Sequence, residues 1–500
     1  MALRHATYAV IGFLLAPWGA AAAAPTVFYS DLTSAPVGAY VTLWGREFGE
    51  KPGSVRVGKA DAKGTDILSW RDNMIEFRLP AGAGDGISVV DSAGRSSATL
   101  PFRTRQGRLF YVSKATGNNR NDGRAETPRG RSGPWRDLAP VLPKVRPGDV
   151  VYVREGTYNE VDNERWGTTL FIRRRAGAGT AEAPIALVGY PGEKAVVGGD
   201  GRRGILFEAG QEYWTIAKLS LQAESSALDF TQGRESRGIR IVGNEAGNIR
   251  SAYGTIGMKA CSDCQILGNH VHNSGQPGKK LAHLIYYGGY GIGANVEIAW
   301  NHLHDELGGR CIQVYGHTDD DRLSGLSIHD NYIYNCPFDG ILVGKSDAEF
   351  KSWVKDAQVY NNVVINAGGA GIRIDSPEVE VRITHNTLYG NGFGLFLQDV
   401  GRAEVINNVF ADNQRAAVRV DNAPAVEISY NGYQGDRPPP EERQPVVGSA
   451  GFLEPRRGDL RLGPQSPFRG RGKSLAKALA LPQSGRGQPD LGADLVPPPR

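Results

Sequence analysis

The chain has 500 residues, of which 57 are Lys or Arg and 53 are Asp or Glu. The net charge of +4 is small for this length, and no basic run is long enough to form a nucleic-acid patch, so nucleic acid is not an expected partner. The 66 glycines show no collagen-like triplet period and fit a chain with many turns. A chain this long is expected to fold as two or three units.

The amino terminus predicts an export signal. Arg4 and His5 form a short positive region, residues 8–15 are apolar, and residues 20–24 are small. The apolar run is too short to span a bilayer, and no other stretch is long enough. We therefore expect residues 1–24 to be a signal peptide and the mature protein to be secreted or periplasmic, without a membrane span.

Residues 25–104 read as a separate module of short alternating strands and glycine turns. Residues 41–49 carry the phrase V-T-L-W-G-R-E-F-G, Trp70 is central, and residues 79–82 form an L-P-A-G corner. This order of phrases resembles the immunoglobulin-like IPT/TIG family. The resemblance implies a small β-sandwich that positions or binds rather than reacts.

A second unit begins near residue 107. It carries Y-V-S at residues 111–113, N-D-G at 121–123, P-G-D-V-V-Y-V at 147–153 and G-T-Y at 156–158. These phrases resemble the opening of right-handed parallel β-helix proteins of the pectate-lyase-like superfamily. The resemblance covers residues 107–435 and implies an all-β fold, a right-handed parallel β-helix. Because that superfamily contains lyases, hydrolases, epimerases and non-enzymes, it implies much less about function. The apolar segment near residues 135–142 is expected to plug the open end of the coil.

A repeat in the second half predicts the same fold from the residues alone. Short apolar phrases end in asparagine at intervals of 22 to 32 residues, which is the period of a stacked repeat. Between the asparagines, phrases such as C-I-Q-V-Y alternate apolar with polar residues, as a strand with one buried face does. Since Asn can hydrogen-bond the same Asn one coil above, we interpret these residues as structural. They are Asn269, Asn301, Asn331, Asn362, Asn386, Asn408 and Asn431.

The four cysteines are Cys261, Cys264, Cys311 and Cys336. The first two form a C-x-x-C phrase, but no second Cys or His pair stands at zinc-ligand spacing and the segment is not a βαβ unit. Export permits disulfides. We therefore expect structural disulfides or buried thiols, not a metal or redox site.

A polar stripe is predicted along the outside of the coils. In C-I-Q-V-Y, alternation points Gln313 and Tyr315 outward; in the preceding coil it points Tyr287 outward and Tyr286 inward, with His283 at the head of the strand. Coils rise by about 4.8 Å, so neighbours on the stripe should touch. The predicted stripe contains Lys259, Tyr287, Tyr315, Gly344, Asp375, Gln398 and Asp421.

Three insertions are predicted to turn this stripe into a groove. They fall at residues 276–280, 316–322 and 345–353, in adjacent coils. Functional residues concentrate on loops that a rigid scaffold holds. This groove is therefore the predicted site.

Five side chains in the groove are candidates for catalysis. His283 or Lys345 could act as a base, Lys345 if neighbouring cations depress its pKa. Tyr287 or Tyr315 could act as an acid. His317, beside an acidic triplet, could be a base or a substrate contact. The alternative for each is an ordinary surface residue.

Five further side chains are candidates for binding substrate. Arg310 and Arg373 suit carboxylate pairing, and tyrosine rings nearby suit sugar stacking. The remaining candidates on the stripe are Gln313, Asp375 and Lys259.

The acidic triplet Asp319, Asp320 and Asp321 offers the hard oxygen ligands that Ca²⁺ prefers. A calcium site would need further carboxylates from another coil, and Asp347 or Asp375 could supply them. Consecutive acids in a loop are, alternatively, often merely solvated.

The leading hypothesis is a secreted polysaccharide lyase that cleaves an acidic, uronate-containing polymer by β-elimination. It needs a neutraliser of the carboxylate, a base and an acid. A calcium-dependent lyase family with this fold and a lysine base carries paired aspartates before a glycine, whereas here Asp339 alone precedes Gly340. Two alternatives stay open: a glycoside hydrolase using carboxylates such as Asp339 and Asp375, and a non-catalytic polysaccharide-binding envelope protein.

The last segment, residues 436–500, begins with the break R-P-P-P at residues 437–440. It resembles the terminal coil and cap of the same superfamily. The final Pro-rich residues are expected to be disordered.

Overall fold

The computed structural model describes residues 23–174, 177–199, 201–345, 353–475 and 488–495. Most of the predicted signal peptide, the candidate ligand Asp347 and residues 496–500 lie outside these ranges. Within them the chain is nearly all β, as predicted, and it contains no helix that is long and apolar enough to cross a membrane.

Two small antiparallel sheets form an amino-terminal sandwich. The first consists of Thr26–Ser30, Tyr40–Arg46, Met74–Arg78 and Ile67–Arg71 in that order, and the second of Ala60–Ala62, Ser54–Val57 and Ile87–Val90. Alternate residues such as Val41, Leu43 and Val55 are fully buried between the sheets. The unit is completed by the 3-10 turn Gly64–Asp66 and the parallel pair Ser34–Ala35 and Arg103–Thr104.

The rest of the chain winds into a right-handed parallel β-helix with three long sheets, here named sheets 1, 2 and 3. Neighbours in each sheet come from successive coils. Sheet 1 contains, in the described residues, Leu109–Val112, Val150–Val153, Ile185–Gly189, Trp214–Ala217, Arg240–Val242, Gln265–Leu267, Glu297–Ala299, Ser327–His329, Ala357–Tyr360, Glu380–Thr384, Arg402–Ile406, Val426–Ser429 and Glu442–Arg443.

Sheets 2 and 3 complete each coil. Sheet 2 contains Gly156–Tyr158, Ala195–Gly198, Ser220–Gln222, Glu245–Gly247, His270–His272, His302–His304, Tyr332–Cys336, Val363–Ala367, Thr387–Tyr389, Val409–Ala411, Gly432–Gln434 and Val446–Val447. Sheet 3 contains Thr168–Ile172, Arg203–Phe207, Ser226–Phe230, Gly254–Lys259, His283–Gly288, Arg310–Gly316, Ile341–Lys345, Ala370–Asp375, Phe393–Gln398 and Ala416–Asp421. Short strands at one corner add Ser236–Arg237, Cys261–Ser262, Ile292–Ala294, Arg322–Ser324 and Trp353–Lys355.

The predicted asparagines form a continuous buried ladder at the corner between sheets 1 and 2. Each side-chain amide donates to the side-chain oxygen of the asparagine in the next coil at 2.9 to 3.0 Å, from Asn244 to Asn431. Their structural interpretation is confirmed, and Asn244 extends the ladder by one coil. Left-handed backbone geometry falls on the residue before the ladder position, for example Asp330 with φ of 54° and Tyr430 with φ of 58°.

The amino-terminal end of the helix is plugged, and the carboxyl-terminal segment packs along one side. The 3-10 turn Ala139–Lys144 buries Val141 and Leu142 in the helix core at the amino-terminal end. After the last coil, the antiparallel pair Phe452–Glu454 and Asp459–Leu462, joined by the turn Pro455–Arg457, packs on the outer face of sheet 2. Phe468 and Leu491 continue along that face against Val409.

The sandwich packs on the outer face of sheet 1 and shares one apolar cluster with it. The Tyr152 hydroxyl accepts from the Tyr40 N–H at 2.7 Å and donates to the Tyr40 carbonyl at 2.9 Å. Tyr29 packs against Trp300 with ring centroids 5.0 Å apart and ring planes tilted by 31°. Gly268 is required beneath Tyr29, because a Cβ there would lie 1.8 Å from the hydroxyl.

All four cysteines form disulfides, Cys261 with Cys264 and Cys311 with Cys336. The first closes a tight turn between sheet 3 and sheet 1, and the second joins the start of a sheet 3 strand to the end of a sheet 2 strand. Both are buried in the core of the helix, so they are structural.

Candidate functional site

The predicted stripe lies on the outer face of sheet 3. Strand register aligns Lys259, Gly288, Tyr315, Gly344, Asp375, Gln398 and Asp421 along the stack. Six of these seven positions match the predicted stripe. The exception is Gly288, which occupies the position predicted for Tyr287.

The predicted outward orientation of Tyr287 is wrong. Tyr287 aligns with the inward Val314, is 1% exposed, and donates its hydroxyl to the Cys261 carbonyl at 3.0 Å. Its neighbour Tyr286 points outward instead. The reason is a break in alternation, because Leu284 and Ile285 both enter the core at the corner where the strand begins. Tyr287 therefore does not reach the groove.

His283 is also inside the protein instead of facing the groove. It is 2% exposed, its ring stacks on Tyr286 with centroids 5.6 Å apart, and Nδ1 lacks a partner in the described part of the chain. Burial, reinforced by the nearby Arg310 guanidinium, lowers the pKa of His283 to about 3. The residue is neutral at physiological pH and supports the ring of Tyr286.

The outward tyrosines form the centre of the candidate site. Tyr286 leans over Gly288, where a Cβ would come within 2.4 Å of its hydroxyl. Tyr315 lies between Gly288 in one coil and Gly344 in the next, so its strand neighbours have no side chains. Burial raises the pKa of Tyr286 and keeps its hydroxyl protonated at neutral pH. A protonated phenol can donate a hydrogen bond or a proton.

The loop at residues 317–321 closes one side of this centre. His317 is exposed, and its ring meets that of Tyr290 edge-on with centroids 5.4 Å apart. Asp321, a predicted metal ligand, is fully buried. Its carboxylate accepts from the N–H groups of Tyr290 at 2.7 Å and Thr318 at 2.8 Å, and so ties the loop to the preceding coil.

The remaining metal candidates do not gather into one cluster. Asp319 and Asp320 are exposed in the loop, and the Asp319 carbonyl accepts from Arg322 at 2.7 Å. Among the described residues, the only group of three or more potential metal-ligating side chains lies elsewhere, on sheet 2. A calcium requirement stays a prediction, with Asp375 or Asp347 as the further carboxylate, and Asp347 lies outside the described ranges.

The other side of the centre is held by an arginine. Arg310 donates to Asp339 at 2.9 Å and to the Gln313 side-chain oxygen at 3.1 Å. Asp339 also accepts from the Ala370 N–H at 2.9 Å and is 5% exposed. Gln313 points outward as predicted but is 3% exposed, because Arg310 covers it. Asp339 thus has both oxygens engaged.

Farther along the stack the face is lined by guanidinium groups and rings. Arg373 donates to Asp375 and to Gln398, both at 2.8 Å, and lies 5.1 Å from the centroid of Phe396. Arg419 lies 4.7 Å from the same ring. In the opposite direction Lys259 donates to Asp229 at 2.8 Å. The face therefore presents charged donors that neighbouring acids hold in place.

Lys345 ends its strand opposite Gly316, one coil beyond Tyr315. Its main chain is thus close to the tyrosine centre. Its role as a base stays a prediction, since the structure describes only the main chain at this position.

One buried acid near the site escaped sequence analysis. Glu306 lies before Arg310, is 3% exposed, and accepts from the N–H of Gly308 at 2.7 Å and of Gly309. Its second oxygen has no partner among the described atoms. Burial raises the pKa of Glu306 to about 7.

A group of four imidazoles on sheet 2 was also missed. His270 and His272 align with His302 and His304 in the next coil. The signal was visible in the sequence, because H-V-H and H-L-H directly follow Asn269 and Asn301. The two phrases are one repeat apart.

A family model and one solved structure agree with the fold. The family model described as right handed beta helix region matches residues 310–435. Pectate lyase Pel9A is 13% identical with a TM-score of 0.55 over 78% of this chain and 96% of that chain. The periplasmic alginate epimerase AlgG is 13% identical with a TM-score of 0.34 over 61% of this chain and 78% of that chain.

Curated relatives match a shorter segment. Cyclomaltodextrin glucanotransferase of Niallia circulans is 36% identical over 98 residues, or 19% of this chain and 14% of that protein. The enzyme of Bacillus sp. strain 17-1 is 37% identical over 93 residues, or 18% of this chain and 13% of that protein. The chain thus spans about one seventh of these relatives. The matched length of 93 to 98 residues is consistent with a match to the amino-terminal sandwich.

Proposed function

This chain has a right-handed parallel β-helix fold similar to that of a pectate lyase, and we propose that it is an exported polysaccharide lyase that acts on an acidic polymer. The observation that carries the proposal is the centre on sheet 3, where Tyr286 and Tyr315 point outward between the loop of His317 on one side and the Arg310 guanidinium on the other. Two disulfides in the described residues support export, because they persist in oxidising compartments. The amino-terminal sandwich is proposed as an IPT/TIG-like accessory module.

The substrate class follows from the chemistry of the face. Arg373 and Arg419 flank the ring of Phe396 at 5.1 and 4.7 Å. Guanidinium groups pair with carboxylates and aromatic rings stack on sugars, so this combination suits a chain of acidic sugars. Successive coils rise by about 4.8 Å, so an extended polymer lying along the stack would meet several such positions.

The proposed reaction is β-elimination. A base removes the proton on the carbon next to the sugar carboxylate, the electron pair forms a carbon–carbon double bond, and the glycosidic carbon–oxygen bond breaks. Tyr315 donates a proton to the leaving oxygen, and Arg310 or Arg373 neutralises the carboxylate. His317 or Lys345 acts as the base.

A glycoside hydrolase is the weaker alternative. It would need two available carboxyl groups, one to protonate the leaving oxygen and one to attack or activate water. Asp339 is buried between Arg310 and the Ala370 N–H, and Asp375 accepts from Arg373. These contacts favour the lyase over a hydrolase built on this pair.

The test is a screen of the purified protein against acidic and neutral polysaccharides, with and without a calcium chelator. We expect cleavage of an acidic polymer with ultraviolet absorption from the new double bond. New reducing ends without that absorption would instead identify a hydrolase. Binding without cleavage would identify a non-catalytic polysaccharide-binding protein. Full activity in chelator would show that the reaction does not require calcium.

A further inference from the structure

Four imidazoles form a two-by-two array on the outer face of sheet 2, separate from the groove on sheet 3. The rings of His270 and His302 stack with centroids 4.6 Å apart, and those of His272 and His304 with centroids 5.2 Å apart. Along this face the coil before the array carries Glu245, and the coil after it carries Tyr332 and Tyr334. The array thus occupies the border between a charged and an apolar part of the sheet.

Three of the four rings direct ligand atoms at one point. One ring nitrogen each of His270, His272 and His304 lies within 4.8 Å of the other two. The Nε2 atoms of His270 and His304 are 2.9 Å apart. Two nitrogens at about 2.1 Å from a tetrahedral Zn²⁺ would be about 3.4 Å apart, so small rotations of the rings would suffice.

The surroundings prepare these nitrogens for a metal. His304 Nδ1 lies 2.7 Å from the Asp305 carboxylate, an arrangement that fixes the ring and leaves Nε2 for an ion. His272 Nε2 is buried without a hydrogen-bond partner in the described structure and lies 3.8 Å from a Glu245 oxygen.

Gly247 makes room for the array. Gly247 aligns with His272 in the next coil, and a Cβ at position 247 would lie 2.6 Å from His272 Nε2. The ring of His272 therefore lies over the glycine instead of turning out to solvent.

We propose that His270, His272 and His304 bind one divalent transition-metal ion of the Zn²⁺ type. Imidazole suits Zn²⁺, Ni²⁺ and Cu²⁺, whereas Ca²⁺ and Mg²⁺ prefer oxygen ligands. The ion joins two successive coils, and Glu245 from the preceding coil stands next to the fourth position. The site is independent of the proposed lyase chemistry, which uses another sheet.

Equilibrium dialysis of the full chain, first stripped with chelator, tests the proposal. We expect one equivalent of Zn²⁺ to bind with a rise in melting temperature, and Ca²⁺ to cause neither. Co²⁺ in the same site should show the visible absorption of a tetrahedral nitrogen environment. Wild-type protein that binds no stoichiometric Zn²⁺ would overturn the proposal.

Variants locate the site. His270→Gln with His304→Gln should abolish stoichiometric binding, while His317→Gln, in the groove, should leave it unchanged. Asp305→Asn retains every ligand and should weaken Zn²⁺ binding by about 10- to 100-fold. Circular dichroism of the metal-free variants controls for folding. Equal Zn²⁺ affinity in the wild type and a folded double variant would contradict the assignment.

Discussion

Tyr287 and Tyr315 lie in adjacent coils, but their hydroxyls face opposite sides of sheet 3. The first donates to the Cys261 carbonyl in the core, and the second lies on the outer stripe between two glycines. The same change, loss of one hydroxyl, should therefore have different effects at the two positions.

Tyr315→Phe should reduce turnover of the identified acidic polymer by about 10²- to 10⁴-fold, the range of a lost general acid, with a stability change within about 0.5 kcal/mol. Tyr287→Phe should retain turnover, but its free energy of unfolding should fall by about 1–3 kcal/mol, because the Cys261 carbonyl is left unpaired in the core. Steady-state kinetics and thermal denaturation measure the two effects. Full turnover by Tyr315→Phe would exclude it as the acid.

Glu306 should make stability depend on pH. Its pKa is about 7 in the folded protein, against 4.5 for an exposed glutamate, so between these values the folded state binds more protons than the unfolded state. The free energy of unfolding therefore falls as pH rises through this window, by about 3 kcal/mol at most, and the contribution is constant above and below it. In denaturant titrations at pH 4.5 and 7, the free energy of unfolding of Glu306→Gln should lack this decrease between the two pH values. A slope identical to wild type would show that Glu306 ionises normally.

The residues of the site that could be predicted from sequence are those in regular strands. Strict alternation of branched aliphatic residues correctly placed Tyr315, Arg373 and Asp375 on the outer face. At residues 283–287 alternation breaks at the corner of the coil, so Tyr286 and Tyr287 were exchanged. The order of apolar and polar residues does not predict where a corner of the coil ends. It also does not predict that the Asp321 side chain folds back under its own loop.

The asparagine ladder holds successive coils in register. Asn331 donates to the Ile298 carbonyl at 2.8 Å and to Asn362 at 2.9 Å, and its oxygen accepts from the main chain and side chain of Asn301. The repeat period and the asparagines predicted this arrangement. The left-handed residue before each asparagine was not predicted, because Trp300, Asp330 and His385 at these positions share no side-chain type.

Asn331→Ala should lower the free energy of unfolding by about 3 kcal/mol or more, because several buried polar groups lose their partners and each costs about 1–3 kcal/mol. The matched control is Asn366→Gly. Asn366 also donates to an asparagine one coil away, at 2.8 Å, but it is exposed and left-handed, so this loss should stay within about 0.5 kcal/mol. Urea denaturation of both variants gives the comparison, and equal losses would contradict a special role for the buried ladder.

The sandwich and the β-helix should unfold together because they share one apolar cluster. Lys218 of the helix donates to Thr42 at 2.9 Å and to Glu76 of the sandwich, and Glu76 is 6% exposed. Lys218→Met leaves that acid buried without its cation and should cost about 3–5 kcal/mol. Adding Glu76→Gln should recover much of the loss.

Calorimetry checks this prediction. Wild type and both variants should each show a single transition, displaced in temperature. Two separate transitions in the wild type would show that the sandwich folds as an independent body. The two-unit organisation was predictable from composition and turns, but the mutual burial was not, because the outward residues of sheet 1, such as Ala217 and Val242, are small and apolar without marking a partner.

The ladder also has an electrical direction. Every side-chain oxygen in it accepts from the preceding coil, and one N–H of every amide before Asn431 donates to the asparagine of the next coil, so the side-chain dipoles add head to tail along the axis, as peptide dipoles do in an α-helix. The positive end of this row is the amide of Asn431, and it donates to the carboxylate of Glu442 at 2.9 Å. The negative end is the oxygen of Asn244, which accepts from the Leu219 N–H at 3.1 Å. The Glu442 carboxylate thus lies at the positive end of the row of dipoles. This interaction favours the end of the ladder at the coil of Asn431.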